Sequence, residues 1–357
     1  MDRIRVAVLL GGPSSEHDVS LKSGANVVDA LDRKRYEVRP VLITREGRWR
    51  VAARPIEAGG RNGKPGRPFD PLSPDTPWRE PVDAWMGLGE LVDWKTDVAL
   101  PILHGRFGED GTVQACLHAA GIRFAGSGVR ASAVAIDKIR TKEVLSFHGV
   151  RTAPFRILDS ERLAGSRPAL AAELAAELGL PLVLKDPLGG SSLEVAVCDD
   201  EREAVIALDR LAKGRDRLLA ESFVKGREFT GGVLADRERG APVALPLVEL
   251  RPVKAKFFDY REKYDADGAQ EICPADLPAA VEAAGRALAL EVHELIGLKG
   301  VSRTDMILDE ATGRFSVLEV NTMPGMTARS LIPRAAAVAG IDFADVIDRL
   351  IRTAGSE

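Results

Sequence analysis

Asp305, Glu319 and Asn321 are the residues whose types and spacing most directly suggest chemistry. All three offer oxygen donors, with no Cys or His among them. That is the ligand chemistry of Mg²⁺, a hard cation that commonly bridges to nucleotide phosphates. Glu319 and Asn321 are two residues apart, so on a strand they point to one face. Met306-Ile307-Leu308 and Phe315-Ser316-Val317-Leu318 flank the turn-forming stretch Asp309-Glu310-Ala311-Thr312-Gly313 and read as a hairpin, which brings Asp305 to the same metal. These residues alone point to a chain that handles ATP.

Four other segments carry candidate groups. Leu103-His104-Gly105-Arg106-Phe107-Gly108-Glu109-Asp110-Gly111 is a glycine-rich loop between a strand and a helix, a place where open α/β sheets bind ligands. It reads equally as a tight turn whose acids favour the next helix start; His104, at the strand end, is its functional candidate. In Lys185-Asp186-Pro187-Leu188-Gly189-Gly190-Ser191-Ser192 a lysine at a strand end precedes Gly and Ser, whose backbone N–H groups approach an anion closely. The order rules out a Walker loop, and a plain hairpin turn is the alternative. Leu219-Ala220-Glu221-Ser222-Phe223-Val224-Lys225-Gly226-Arg227-Glu228 ends an apolar segment with carboxylates. They suit a ribose, or mark a charged strand exit. Lys254-Ala255-Lys256-Phe257-Phe258-Asp259-Tyr260-Arg261-Glu262-Lys263-Tyr264 concentrates aromatics among charges in a chain that is only 5% aromatic. That suits a lid that excludes water, or an exposed loop over a core edge.

Composition narrows the class. The chain's 357 residues allow two or three domains, and 45% of them are hydrophobic, as in a soluble enzyme. Net charge is −4 and no basic block stands out, which argues against nucleic acid as a partner. Cys116, Cys198 and Cys273 are far apart, make no metal-ligand spacing and read as free thiols of a reducing cytosol. No apolar run reaches membrane-spanning length, and residues 4–10 are too short for a signal peptide, so a cytoplasmic location is expected.

The elements that must position these groups alternate. A buried strand over 4–10, a helix over 19–31, strands over 36–44 and 97–103 and a helix over 111–120 predict a parallel sheet wrapped by helices. Residues 46–92, rich in Gly, Pro and Arg, read as an irregular excursion. Helices are expected over 138–148, 168–178, 201–211, 277–295 and 343–351. Strands are expected over 182–185, 193–197, 218–222, 229–234 and 243–250, before the hairpin. The expected units are 1–126, 127–225 and 226–357.

In order along the chain, these segments resemble the D-alanine–D-alanine ligases of the ATP-grasp superfamily. The matching pieces are Gly11-Gly12, Ser15-Glu16, Val19-Ser20, the His104 to Gly111 loop, Gly126-Ser127-Gly128, Asp137-Lys138, Gly189-Gly190-Ser191-Ser192, Tyr260 to Tyr264, Cys273-Pro274-Ala275, Arg303-Thr304-Asp305 and Glu319 to Thr327. The resemblance implies an N-terminal α/β substrate domain followed by a two-domain ATP-grasp module. It implies that ATP activates the carboxylate of one D-alanine as an acyl phosphate and that the amine of a second attacks it. Glu16 would hold the first ammonium with Ser191 and Tyr264, and His104 would sit near the first carboxylate. Lys138, Lys185 and Lys263 would neutralise the phosphates. Glu221, Val224 and Glu228 would take the adenosine, with Phe257 stacking. Asp305, Glu319 and Asn321 would hold two Mg²⁺, with Mn²⁺ as a substitute and K⁺ as an activator. Arg303 and the Gly325 N–H would steady the oxyanion, and Ser330 and Leu331 would hold the second carboxylate. A homodimer is the family's habit.

Three positions depart from the family pattern, of which Ser222, in place of the usual charged residue, matters little if the adenine contact is through backbone. Asp186 stands beside the phosphate loop where the family usually has proline, and its charge there must point away or pair with a cation. Glu194 stands where glycine is usual. Related readings are a ligase of the same mechanism with another amino or hydroxy acid as acceptor, and an inactive nucleotide-binding relative.

Overall fold

Ile4–Gly11 (β1) is buried from Val6 onward, so it must lie inside a sheet covered on both faces. In the computed structural model, which describes residues 3–57, 68–189, 194–236, 240–251 and 270–355, this is its position. After α1 (His17–Ala30) come β2 (Tyr36–Ile43), β3 (Trp49–Val51), α2 (Ala84–Asp93) and β4 (Val98–Pro101). The sheet order is β3-β2-β1-β4, with β1 parallel to β2 and β4, and β3 antiparallel at the edge.

The expected irregular excursion over 46–92 is corrected here. Trp49 is fully buried on β3 and bridges to Val82, and α2 closes over it. A Cβ on Gly87 would come within 2.8 Å of Trp49, so glycine lets the helix lie directly on the indole. Asp83 caps that helix by accepting from the Met86 N–H. The large apolar ring needed a cover, and a short capped helix supplies it despite the Gly- and Pro-rich surroundings.

Next come α3 (Thr112–Ala119), α4 (Val129–Ile136), α5 (Lys138–Phe147), β5 (Phe155–Leu158), α6 (Ser160–Ala164), α7 (Arg167–Leu178), β6 (Leu182–Lys185), β7 (Val195–Cys198), α8 (Glu201–Leu211) and β8 (Leu218–Ser222). The second sheet, β5-β8-β6-β7, is antiparallel throughout. Leu170 and Leu174 of α7 and Leu208 of α8 pack on Leu182, Leu184 and Leu218.

The third sheet uses β9 (Gly226–Leu234), β10 (Val243–Ala244), β11 (Val248–Arg251), β12 (Gln270–Ile272), β13 (Val301–Asp309) and β14 (Phe315–Asn321), with α9 (Ala279–Ile296) on one face. Its order is β12-β11-β9-β13-β14, with β10 beside β9. The single strand expected over 243–250 is two strands, because Pro246 has no N–H to give the ladder. Finally α10 (Leu331–Val338) and α11 (Phe343–Arg352) return to the first sheet. Ile332, Ile347 and Leu350 share a core with Val6, Val8 and Leu100. A Cβ on Gly232 would meet Ile332 at 2.5 Å, so this glycine of β9 lets α10 settle and fixes where its N-terminus points.

Candidate active site

The polar face of the β13/β14 hairpin is set by register. Arg303 pairs with Asn321 and Asp305 with Glu319, and residues directly opposite one another share a face. Beyond that point Met306 pairs with Val317, so Leu318 is an extra residue, a β-bulge. The bulge answers a conflict in the pattern: Val317 and Val320 are three apart, yet both are buried in one cluster, while Glu319 must face the other way. Arg303 grips Asp305 with two parallel bonds, Nε to Oδ1 at 2.9 Å and Nη2 to Oδ2 at 2.8 Å. The Asn321 amide donates to Asp305 Oδ2 at 3.3 Å, and Lys138 Nζ lies 3.0 Å from Glu319. Burial works against the charge on Arg303, but Asp305 outweighs it and raises its pKa. Among the described residues no three His, Cys, Asp or Glu side chains form a metal cluster. The set here completes itself with the Asn321 amide, an all-oxygen donor set suited to Mg²⁺ rather than to softer metals.

This face opens on a cavity of about 520 Å³ between the three sheets. Every described residue of the expected site lines it. From the hairpin and the segment after it come Arg303, Asp305, Glu319, Asn321, Gly325, Ser330 and Leu331; from the second sheet and its exit Lys138, Lys185, Glu221, Val224 and Glu228; from the first unit Glu16 and His104. Ser191, Phe257, Lys263 and Tyr264 lie outside the described residues. Ser330 is the N-cap of α10, so the Leu331 N–H lies at a helix N-terminus, an anion-binding position.

Glu221, expected on the adenosine side, is held by two lysines. It is 1% exposed, and its two carboxylate oxygens each pair with a lysine, Lys142 at 2.5 Å and Lys185 at 2.5 Å. Burial would raise its pKa, but the two ammonium groups overcome that and lower it to about 2. Glu221 thereby holds Lys185 charged at the cavity wall. At the strand exit, Ser222, Phe223 and Val224 line the cavity. Lys142 was not in the expected set. Its signal was present, because it lies one turn beyond Lys138 in a helix capped by Asp137.

The first unit contributes a wall built on loops. Gly11 has φ +92°, and a Cβ there would lie 2.3 Å from the Ile43 carbonyl, so only glycine turns the chain at the end of β1. His104, 5% exposed, places Nδ1 2.9 Å from the Met323 carbonyl and Nε2 3.2 Å from Ser23 Oγ. Phe107 holds φ +74°, a conformation that non-glycine residues adopt at some cost and that clusters at functional loops. Glu109 is a residue that sequence reasoning missed. It accepts from the Gly105 N–H at 2.8 Å and the Met323 N–H at 3.0 Å, tying the first unit to the loop after β14. Burial, reinforced by the nearby Glu16 charge, pushes its pKa up to about 7.

A cavity of nucleotide size, ringed by lysines and hard-oxygen donors between two antiparallel sheets and closed by a parallel-sheet unit, defines an ATP-grasp ligase. The comparisons with known proteins take this further. A family model described as "D-ala D-ala ligase N-terminus" matches residues 5–127, and one described as "D-ala D-ala ligase C-terminus" matches residues 144–352. The chain belongs to the D-alanine–D-alanine ligase family. A D-alanine–D-alanine ligase of Syntrophobacter fumaroxidans is 39% identical over 99% of this chain and 98% of its own length. That of Sphingopyxis alaskensis is 38% identical over 98% and 97%. Among solved structures, the D-alanine–D-alanine ligase of Bacillus anthracis complexed with ATP superposes with a TM-score of 0.72 at 28% identity, covering 99% of this chain and 97% of that one. The VanG D-Ala:D-Ser ligase of Enterococcus faecalis gives a TM-score of 0.78 at 24% identity over 99% of both chains, a likeness of fold alone.

Proposed function

We propose that the protein uses ATP to join two D-alanines into D-alanyl-D-alanine for peptidoglycan precursor synthesis. The observation that carries this reading is the cavity in which phosphate-type cations, hard-oxygen donors and an acidic amino-acid wall converge. In the proposed sequence, the first D-alanine carboxylate takes the γ-phosphoryl group of ATP. The second D-alanine's amine attacks the resulting acyl phosphate, and phosphate leaves. Lys138 and Lys185, with Lys263, neutralise the transferring group. Asp305, Glu319 and Asn321 would hold two Mg²⁺, or Mn²⁺, which would offset the charge of the nucleotide phosphates. Arg303 and the Gly325 N–H steady the developing oxyanion. Ser330 and the Leu331 N–H receive the second carboxylate, and a lid bearing Tyr264 excludes water from the acyl phosphate. Glu221 (which also pairs with Lys185), Val224 and Glu228 take the adenosine, with Phe257 stacking. The reading extends to K⁺ activation, a homodimer, a cytoplasmic location and working units of 1–126, 127–225 and 226–357. No helix among the described residues is long and apolar enough to cross a membrane. The test is ADP release with ATP, Mg²⁺ and K⁺ on D-alanine, on L-alanine and on D-alanine with D-lactate, the product identified by mass. D-alanyl-D-alanine formed only when D-alanine is present supports the reading; ATP turnover with D-lactate as the preferred acceptor replaces it with a hydroxy-acid ligase.

The Glu16 wall predicts a pH dependence. Glu109 faces Glu16 and Arg303, and its raised pKa means that it carries a proton below about pH 7 and is charged above. The pocket for the first ammonium therefore becomes more negative as pH rises through 7. The KM for the first D-alanine is expected to fall several-fold between pH 6 and pH 8, and Glu109→Gln should flatten that profile. A KM profile unchanged by Glu109→Gln assigns the dependence to another group.

A further inference from the structure

Asp186 and Glu194 are the two acids that stand in the wrong place for a phosphate site, and one arginine answers both. Arg215, in the turn after α8, places Nε 2.6 Å from Asp186 Oδ2 and Nη2 2.8 Å from Glu194 Oε1, and donates through Nη1 to the Leu211 carbonyl at 3.0 Å. One planar guanidinium thus ties the exit of β6, the entry to β7 and the end of α8. Asp186 is 5% exposed, so its charge must be paired. Its other oxygen accepts from the Leu188 N–H at 3.0 Å, and its backbone N–H donates to the Glu194 carbonyl at 3.0 Å. The Glu194 carboxylate lies over Gly189, where a Cβ would come within 2.2 Å of Oε2. The short stretch from Asp186 to Gly189 is thereby fixed. It presents the Pro187 carbonyl to the Lys138 N–H at 2.9 Å and the Gly189 carbonyl to Lys138 Nζ at 2.7 Å. Lys138 in turn reaches Glu319, and Gly189, Lys138 and Lys185 all line the cavity.

We infer that Arg215 is a positioning residue for the nucleotide phosphates: it cancels the charge of Asp186 and Glu194 and, through the backbone they fix, aims Lys138. This rests on the reading of the cavity as an ATP site. Without Arg215, two carboxylates gain an uncompensated charge beside the phosphates, and the Gly189 carbonyl loses its support. Adenosine, held elsewhere in the cavity, is untouched.

The experiment is calorimetric binding of a non-hydrolysable ATP analogue with Mg²⁺, and separately of adenosine, to the full chain. Arg215→Ala is expected to weaken the analogue about tenfold and adenosine less than twofold. Removing the stranded charges as well, in Arg215→Ala with Asp186→Asn and Glu194→Gln, is expected to restore analogue affinity to within threefold of wild type. Arg215→Lys, which keeps the charge but not the fork, should fall between and serves if the alanine variant does not fold. Analogue affinity unchanged in Arg215→Ala overturns the inference. So does an equal loss for both ligands that the triple variant fails to restore, since that is a structural role only. A wild-type chain that binds adenosine but no analogue, or neither, removes the ATP reading and this assignment with it.

Discussion

Glu319→Gln is expected to lower kcat by about a thousandfold while leaving the folded chain and its adenosine affinity intact. Glutamine keeps the size and one acceptor oxygen of the side chain but gives up the charge. Glu319 stands opposite Asp305 across the hairpin and 3.0 Å from Lys138. Asp305 is already matched by the Arg303 fork, so Glu319 supplies the negative charge that a divalent cation would need beyond that pair. Before ligands bind, Lys138 balances it. A divalent cation held by Glu319 would release the lysine toward nucleotide phosphates. The substitution removes one partner of an ion pair whose Glu319 side chain is 30% exposed, so stability should hardly change. The measurement is steady-state turnover with saturating Mg²⁺ beside thermal unfolding. Turnover within tenfold of wild type would remove Glu319 from the metal set, and a collapsed melting profile would mark the residue as structural.

Much of this site could be read before any coordinates, because its chemistry depends on residue type and short spacing. Glu319 and Asn321 share a face for the simple reason that strands have period two. Helices over 201–211 and 343–351 and the strand over 218–222 come from patterning and caps, and the structure has them at Glu201–Leu211, Phe343–Arg352 and Leu218–Ser222. What escaped depends on residues distant in sequence. Nothing local to Glu109 says that its carboxylate will cap the Met323 N–H across the molecule. Arg215 looks like any arginine after a helix until Asp186 and Glu194 are brought to it. That Asp186 must point away or pair with a cation was legible; which of the two, and the supplier, were not. The cover over Trp49 was missed for a related reason, since Gly and Pro around a short helix mask the periodicity that would announce it.

Glu221 carries the largest stability effect. Glu221→Gln is expected to destabilise the second sheet by about 3 kcal/mol or more, because it strands two buried ammonium groups rather than removing a pair. Lys142 is 1% exposed; among the described residues Glu221 is the carboxylate it meets, and it also reaches the Ala153 carbonyl at 3.4 Å and lies 5.4 Å from the centre of the Phe155 ring. Its pKa is already lowered by burial, with Glu221 opposing that. In the variant the opposition disappears, so Lys142 sheds its proton more easily. A base with a depressed folded pKa penalises the fold while charged, and the penalty is relieved as pH rises. The deficit of Glu221→Gln should therefore shrink toward alkaline pH. The wild type behaves differently at the other end. Its Glu221 pKa is lowered to about 2, so the stabilisation is complete above the ordinary carboxylate range and disappears as pH falls through about 2. Urea unfolding of both proteins across pH 6 to 10 reads the alkaline trend directly. Equal stability at every pH would mean that the lysines find other partners. A deficit independent of pH would mean that lost packing, not stranded charge, sets the cost. Because Lys185 lines the cavity on the same carboxylate, the variant should also bind the ATP analogue more weakly, linking the buried triad to the site it supports.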